Sequence, residues 1–228
     1  QDIATFAAYN AGRPAAQQRA VVGRILARTA AYQNLAKGRA AGVDFGFSYQ
    51  IPWTDYGRFA LSSEWTYLIE SYQLRNIGAN AAPLYIERLN VDGATRVRGN
   101  ANLTWSKGLW RAGLSAYYIG KYADSGATTT AANYTSLGEP GYLSKQFDSG
   151  NYLYRYVVED TISMNTFVSY RIPKSNRKWL SDASVRLGIV NFTAEKPPLT
   201  SGAFGFSSSV YAHLFPGRTW TLDVSKRF

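Results

Sequence analysis

The side chains that could support acid–base, nucleophilic or metal chemistry are few in this chain. It contains no cysteine and one histidine, His213. A serine–histidine–aspartate triad or an imidazole metal site would have to use that histidine, and no nucleophile-elbow motif surrounds any serine. Glu159 and Asp160 are neighbours, which a strand would point to opposite faces, and Gly202–Gly205 is too short and glycine-poor for a phosphate loop. The sequence therefore predicts no catalytic residue, no metal site, no cofactor and no enzymatic activity.

Arginine and tyrosine side chains are better candidates, because they can bind a ligand without reacting with it. The formal net charge is +10, which can favour nucleic acid, an anionic membrane or an anionic solute. The residues predicted to contact a ligand are Arg96, Arg98, Tyr72, Tyr85, Tyr122 and Tyr142. Two alternatives stay open: the arginines pair with carboxylates inside the protein, and the tyrosines anchor a membrane interface or pack within loops.

Alternating apolar and polar residues dominate the sequence and predict strands. Between Gly57 and Leu68, one face would carry five mostly apolar residues and the other would carry Arg58 and Glu64. A slip of one residue would move both charges to the apolar face, so the register is firmly set. The same pattern predicts seven strands, near residues 32–50, 57–71, 94–106, 108–121, 154–171, 179–192 and 217–228.

These strands have the length and composition of transmembrane β-strands. Each reaches the roughly 9–11 residues that cross a bilayer at a tilt, whereas strands of soluble proteins usually have about 5–6. Aromatic residues make up 15% of the chain, with 17 Tyr and 6 Trp, and barrels place such residues at both membrane interfaces. The sequence predicts an all-β fold, an antiparallel transmembrane β-barrel segment; a large soluble β-sandwich is the alternative.

The connections between the predicted strands alternate in length. Short turns lie near 52–56, 106–108 and 173–178, and long connections span 72–93, 122–153 and 193–216. Outer-membrane barrels show this asymmetry, with short periplasmic turns and long extracellular loops. Seven strands alone would leave two open edges in lipid, so we expect the rest of the barrel to lie upstream. The chain begins at Gln1 without an initiator Met or signal peptide, as expected of a mature chain or part of one.

The N-terminal segment differs in charge from the rest of the chain. Residues 3–43 contain no Asp or Glu, and Pro14 precedes apolar residues interspersed with arginines as far as Arg28. This pattern predicts a short amphipathic helix. We therefore divide the chain into residues 1–31, an extracellular loop segment with that helix, and residues 32–228, the barrel strands.

Several motifs resemble those of TonB-dependent outer-membrane receptors. Gly217–Phe228 is similar to the family's closing strand, and its Trp220 and Phe228 resemble the signal read by the barrel-assembly machinery. Leu187–Thr193 resembles the penultimate-strand motif, although its Asn191 is followed directly by Phe. Further upstream, Gly42–Asp44 and Arg98–Trp105 resemble strands of the same family.

The resemblance implies an active-transport receptor for a scarce solute such as a siderophore, cobalamin or a glycan. It implies a barrel of about 22 strands, an N-terminal plug domain and coupling to the TonB complex, in the cell outer membrane of a Gram-negative-type bacterium. The expected partners are membrane lipid, the upstream strands and plug, the TonB complex, the assembly machinery and the small-molecule or glycan ligand, but not nucleic acid. The alternatives are a stand-alone porin or enzyme barrel and, less favoured, a soluble nucleic-acid-binding β protein.

Overall fold

The computed structural model describes residues 3–18, 36–75, 84–148, 151–173 and 182–226. The chain forms two compact units, Gln1–Leu35 and Ala36–Phe228. The first unit contains helix α1 (Ile3–Asn10) and a 3₁₀ turn at Ala15–Gln17. Most of the amphipathic helix predicted after Pro14 falls outside the described residues.

Eleven strands and two further short helices make up the described part of the second unit. The strands are β1 (Ala36–Thr54), β2 (Gly57–Arg75), β3 (Leu84–Glu87), β4 (Val97–Lys107), β5 (Trp110–Ile119), β6 (Tyr122–Thr129), β7 (Leu143–Asp148), β8 (Asn151–Val158), β9 (Thr161–Arg171), β10 (Ala183–Val190) and β11 (Thr219–Lys226). The helices are α2 (Ala131–Ser136) and α3 (Ser208–Tyr211), and a 3₁₀ turn follows at Ala212–Leu214.

The main sheet is antiparallel and runs in the order β1-β2-β4-β5-β9-β10-β11, with β3 paired to β2 off this path. Each of these seven strands overlaps one of the seven predicted from the alternation, so the all-β antiparallel prediction is confirmed. Among the described residues the sheet is open, and β1 and β11 are its edge strands.

The sheet has one apolar and one polar face because pairing aligns the alternating residues of neighbouring strands in rows. One apolar row contains Phe45, Trp65, Gly99, Tyr118 and Ile162, and another contains Ile51, Phe59, Trp105, Ala112, Val168, Leu187 and Leu222. In these rows Phe45 is 55% exposed and Leu222 is 68% exposed, whereas Phe59, Trp65 and Trp105 are half-buried. On the other face, one polar row contains Ser48, Ser62, Asn102, Ser115 and Asn165.

The described short turns lie at one end of the sheet, opposite the long connections. Between β1 and β2, the Thr54 hydroxyl donates to the Gly57 carbonyl at 3.0 Å and accepts from the Tyr56 amide at 3.2 Å. Gly57 has φ +108°, and a Cβ there would lie 2.6 Å from the Ser106 carbonyl oxygen. Only glycine fits this turn. The third predicted turn falls largely on residues outside the described ranges.

The long connections are more regular than the sequence predicted. The 72–93 connection contains β3, and the 122–153 connection contains β6, helix α2 and β7. The predicted strand 154–171 is two strands, β8 and β9, separated at the exposed pair Glu159 and Asp160. β8 leaves the main sheet and forms a second, three-stranded sheet in the order β6-β8-β7.

A small core joins this second sheet to residues 191–218, which we call the roof loop. Tyr122 and Val158 pack with Tyr211 and Leu214, and all four are nearly inaccessible to solvent. The segment before β4 is joined to the same region, because the Ala123 amide donates to the Asn90 carbonyl at 2.7 Å. The long connections thus form one packed layer at the end of the sheet opposite the short turns.

Candidate functional site

A cavity of about 910 Å³ opens on the polar face, at the end of the main sheet that carries the long connections. We call it the loop-end cavity. Strands β1, β2, β4, β5 and β9 form its wall, and the roof loop contributes to its border. The polar side chains on which its chemistry depends are Asp44, Glu64, Arg98, Asn100, Tyr117 and His213.

Two carboxylates lie on this wall. The Asp44 carboxylate accepts a hydrogen bond from the Thr66 hydroxyl at 2.6 Å, and the Glu64 carboxylate accepts from the Asn100 amide nitrogen at 3.4 Å. Thr66 opposes Asp44 in the sheet, so Asp44 and Glu64 are diagonal neighbours, which in a sheet are about 7–8 Å apart. No described basic residue forms a salt bridge with either carboxylate.

Arg98 supplies a positive charge to the same wall. Its guanidinium donates to the Gly93 carbonyl at 2.5 Å and to the Thr95 hydroxyl at 3.4 Å. These neutral acceptors hold the side chain without neutralising its charge. Gly93 has φ +87°, and a Cβ there would lie 2.5 Å from the Val210 side chain. The turn that positions Arg98 therefore requires glycine next to the roof loop.

Asn191 determines how the roof loop leaves β10. Its φ is +52°, a left-handed conformation that asparagine adopts more readily than most residues. Its side-chain amide donates to the Glu195 carbonyl at 2.8 Å and accepts from the Glu195 amide at 2.9 Å, which closes the turn. Its backbone N–H donates to the Asn165 side chain at 2.8 Å. The asparagine of the penultimate-strand motif is thus a buried turn residue at the border of the cavity.

Asp124 joins the roof loop to the second sheet. Its carboxylate accepts hydrogen bonds from the Ser201 amide at 2.5 Å, the Ser201 hydroxyl at 2.7 Å and the Gly126 amide at 2.9 Å. We call this group the Asp124 clasp. Burial raises the pKa of Asp124, but the hydrogen bonds from Ser201, Gly126 and Ala127 outweigh burial, so the pKa lies below its ordinary value. The clasp is therefore made by the charged carboxylate.

A second aspartate links the neighbouring segments in the same way. The Asp92 carboxylate accepts from the Ser125 amide at 2.9 Å and the Ser125 hydroxyl at 2.7 Å. In the small core, burial raises the pKa of the Tyr122 and Tyr211 hydroxyls. Those two side chains remain neutral at physiological pH and serve as packing groups.

The predicted ligand-contacting residues do not come together at one site. Arg98 lies on the wall of the loop-end cavity, but the Arg96 guanidinium lies near the Tyr67 ring, 5.7 Å from its centroid. Tyr122 is buried in the small core and is not accessible to a ligand in this conformation.

The three other predicted tyrosines lie apart from the cavity lining. Tyr72 opposes Glu87 in the β2–β3 pair, and Tyr85 is 71% exposed on β3. Tyr142 is exposed, with its ring 6.3 Å from that of Tyr156. Of the two residues predicted as the assembly signal, Trp220 lies exposed on the apolar face opposite Ile189, and Phe228 falls outside the described residues.

Sequence reasoning did not select five of the six named polar residues of the cavity as ligand contacts: Asp44, Glu64, Asn100, Tyr117 and His213. The alternation had placed the first three on the polar face, so the missing information was which strands are neighbours and in what register. His213 was interpreted as a loop histidine, and it is exposed in the roof loop at the border of the cavity.

No protein-family model, curated protein or solved structure matches the chain. In the described part of the chain, no helix has the length and apolar character needed to cross a bilayer. No group of three or more His, Asp or Glu side chains suited to a metal ion occurs among the described residues. The cavity can donate and accept hydrogen bonds and offers both signs of charge, so its geometry favours binding.

Proposed function

We propose that this chain is the C-terminal part of the transmembrane barrel of a TonB-dependent outer-membrane receptor. The proposal combines the receptor-like motifs with one structural observation, the exposed apolar face that continues across seven strands. Soluble monomers rarely expose contiguous apolar patches larger than a few hundred Å². An apolar face of this extent has to be shielded from water. Because the opposite face of the sheet is polar, we propose that the lipid bilayer shields the apolar face.

Aromatic residues at both ends of the apolar face support a membrane position. At the end with the long connections, Trp65 and Tyr118 have ring centroids 5.9 Å apart, and at the turn end Trp110 and Tyr170 are 4.6 Å apart. The Trp105 indole N–H donates to the Tyr56 carbonyl at 2.8 Å, so its polar group is satisfied. Barrels carry such aromatic girdles at their two interfaces.

The height of the apolar face agrees with this arrangement. Val97 opposes Tyr67, and Lys107 opposes Trp110, so ten residues of β4 separate the outermost aromatic residues of this face, Tyr67 and Trp110. At about 3.3 Å per residue and a tilt of about 40°, this length gives a height of roughly 25 Å, the usual height of the apolar band of a barrel.

The open edges of the sheet explain why we propose a larger barrel. The outer edges of β1 and β11 have no partner strand among the described residues, and each unsatisfied backbone group in hydrocarbon costs several kcal/mol. Upstream strands would pair with both edges, the polar face would line the lumen around a plug, and the loops would face outward. The chain would act in TonB-coupled uptake of a small-molecule or glycan ligand, without catalysis.

Spin labels at neighbouring positions test the membrane arrangement. The chain has no cysteine, so single variants Leu103→Cys and Asn102→Cys can be labelled without background in vesicles. We expect the label at Leu103 to be accessible to lipid-soluble oxygen and the label at Asn102 to a water-soluble nickel chelate. Leu61→Cys and Ser62→Cys repeat the comparison on β2. Protection of both Leu positions from oxygen would indicate a soluble sandwich and contradict the proposal.

The intact mass of the polypeptide purified from outer membranes tests the receptor assignment separately. A barrel of about 22 strands with a plug requires a mass several times the 25.3 kDa of this chain. A mass near 25.3 kDa, combined with the alternating labelling pattern, would favour a stand-alone barrel closed by self-assembly and would exclude the receptor.

A further inference from the structure

We propose that the loop-end cavity binds an uncharged oligosaccharide. The inference rests on the proposed function only for the position of the cavity at the outer mouth of the barrel. Its chemical basis is the set of polar groups on the wall.

The charges on the wall disfavour an anionic ligand. Asp44 and Glu64 together carry two negative charges that no described basic residue neutralises through a salt bridge. They would repel an anionic ligand, more strongly inside a cavity than in open water. Arg98 lies on the same wall, with its guanidinium held by neutral oxygens, and its positive charge offsets one of the two negative charges, which reduces the attraction for a cationic ligand.

An uncharged polyol can satisfy all of these groups at once, because each hydroxyl both donates and accepts. The two carboxylates are acceptors only, the guanidinium is a donor only, and the Asn100 amide is both. Arg98 opposes Thr66 in the sheet, and Glu64 opposes Asn100, so Arg98 and Glu64 are diagonal neighbours. In a sheet this places their backbones about 7–8 Å apart, and because the Arg98 guanidinium donates to Gly93 and Thr95 and not to Glu64, one sugar ring could bridge the two side chains.

An aromatic side chain completes the wall. Tyr117 opposes Asn100 on the next strand, lies on the polar face and is 45% exposed. Its ring offers an apolar surface for the C–H face of a sugar, beside the groups that hydrogen-bond the hydroxyls. A volume of about 910 Å³ is within the range of about 300–1,000 Å³ typical of ligand sites. This space favours several linked sugar rings over one.

The test measures binding of defined tetrasaccharides to the purified protein in detergent by isothermal titration calorimetry. The neutral probes are cellotetraose, maltotetraose, xylotetraose and mannotetraose; the charged probes are the glucosamine tetramer (cationic) and tetragalacturonate (anionic). We expect at least one neutral probe to bind more tightly than either charged probe. Glu64→Gln should weaken that binding about tenfold or more, because a hydrogen bond to a charged group is worth about 1.5–3 kcal/mol, and Asn100→Ala should also weaken it.

Asp223→Asn is the matched control, because Asp223 lies on the same face of the sheet, opposite Arg186, and does not line the cavity. It should bind the probe as the unaltered protein does. The inference is overturned if no neutral probe binds, if a charged probe is preferred, or if Glu64→Gln and Asn100→Ala bind normally. Each of these results leaves the spin-label pattern unchanged, so failure of the ligand assignment is distinguishable from failure of the membrane assignment.

Discussion

At the scale of single residues, glycines let large aromatic rings lie flat on the sheet. Phe167 stands between Gly113 and Gly188 in one transverse row of the polar face. A Cβ on Gly113 would lie 2.3 Å from the Phe167 ring, and the Arg186 guanidinium lies 3.9 Å from the centroid of the same ring. Trp65 covers Gly99 on the apolar face in the same way. The small residues in these rows are therefore packing partners of the aromatic rings.

We expect Gly113→Ala to lower the free energy of unfolding by about 1–3 kcal/mol, the usual cost of overpacking. Phe167→Ala in the same chain should remove most of that added cost, because the clash is with its ring. Denaturant titration in detergent of both single variants and the double variant gives the coupling energy. Gly141→Ala is the control, since a Cβ there meets nothing within 4 Å. A coupling energy near zero would contradict the packing argument.

The sequence predicted the face of most residues in the main-sheet strands, but not which polar residues would lie together in the cavity. The assignment to faces follows from a period of two and needs no partner strand. The cavity instead depends on register: Asp44 and Arg98 face one space because both oppose Thr66 across separate strand pairs. Tyr122 has the composition of a ligand contact and is buried only because the roof loop packs on it.

At the scale of elements, the Asp124 clasp connects segments far apart in sequence. Its carboxylate on β6 holds Ser201 of the roof loop, and that loop carries His213 to the border of the cavity. Because few other hydrogen bonds cross from the roof loop to the second sheet in the described residues, the clasp should determine how tightly the roof loop is held.

We expect Asp124→Asn to destabilise the closed roof loop by about 1–3 kcal/mol, since it removes hydrogen bonds to a charged, buried acceptor. Hydrogen exchange measured by mass spectrometry should show faster exchange in residues 193–216 and little change in β4 and β5. Glu159→Gln changes an exposed acid between β8 and β9 and serves as the control. Unchanged exchange in the roof loop would show that the small apolar core, not the clasp, holds it.

The clasp should also weaken in acid. The Asp124 pKa lies below its ordinary value of 3.8, so its contribution to stability is complete above that value. The contribution is lost as the pH falls through the lowered pKa of the folded protein. Exchange rates in the roof loop, corrected for the intrinsic effect of pH, should therefore rise below about pH 4 in the unaltered protein. In Asp124→Asn the rise attributable to this group should be absent.

The division of the predicted strand 154–171 shows what periodicity misses. Tyr154, Tyr156, Val158, Ile162 and Met164 keep one parity through the break, so the alternation continues although the chain moves from one sheet to another. The one local signal is Asp160, a charge at a position of apolar parity. Pairing partners distant in sequence decide the break, and alternation within one segment contains no information about them.

At the scale of the whole sheet, the two-faced pattern is the property that the sequence predicted best. Every strand of the main sheet alternates, and the register keeps most apolar residues on a single face from β1 to β11, with Phe167 among the exceptions. The second sheet could not be predicted in this way. Two of its strands, β6 and β7, lie in a connection whose length indicated a loop, and β8 was predicted as one strand with β9. The packing of the second sheet depends on aspartate contacts that join distant segments.

A charge placed on either face of one strand tests whether the apolar face meets lipid. Leu114 and Ser115 are neighbours on β5, with Leu114 in the row of Leu103 and Ser115 in the row of Asn102. For refolding into phospholipid vesicles, we expect Leu114→Arg to cost about 2–4 kcal/mol, as a basic residue does near the bilayer midplane. Ser115→Arg should cost less than about 1 kcal/mol, because a polar lumen solvates it. Urea titration of both variants in vesicles gives the two values. Equal costs would mean that the two faces of β5 have similar surroundings, which contradicts a lipid-facing barrel wall. Because the two positions are adjacent in the backbone, a difference between the two costs reports the surroundings of each face.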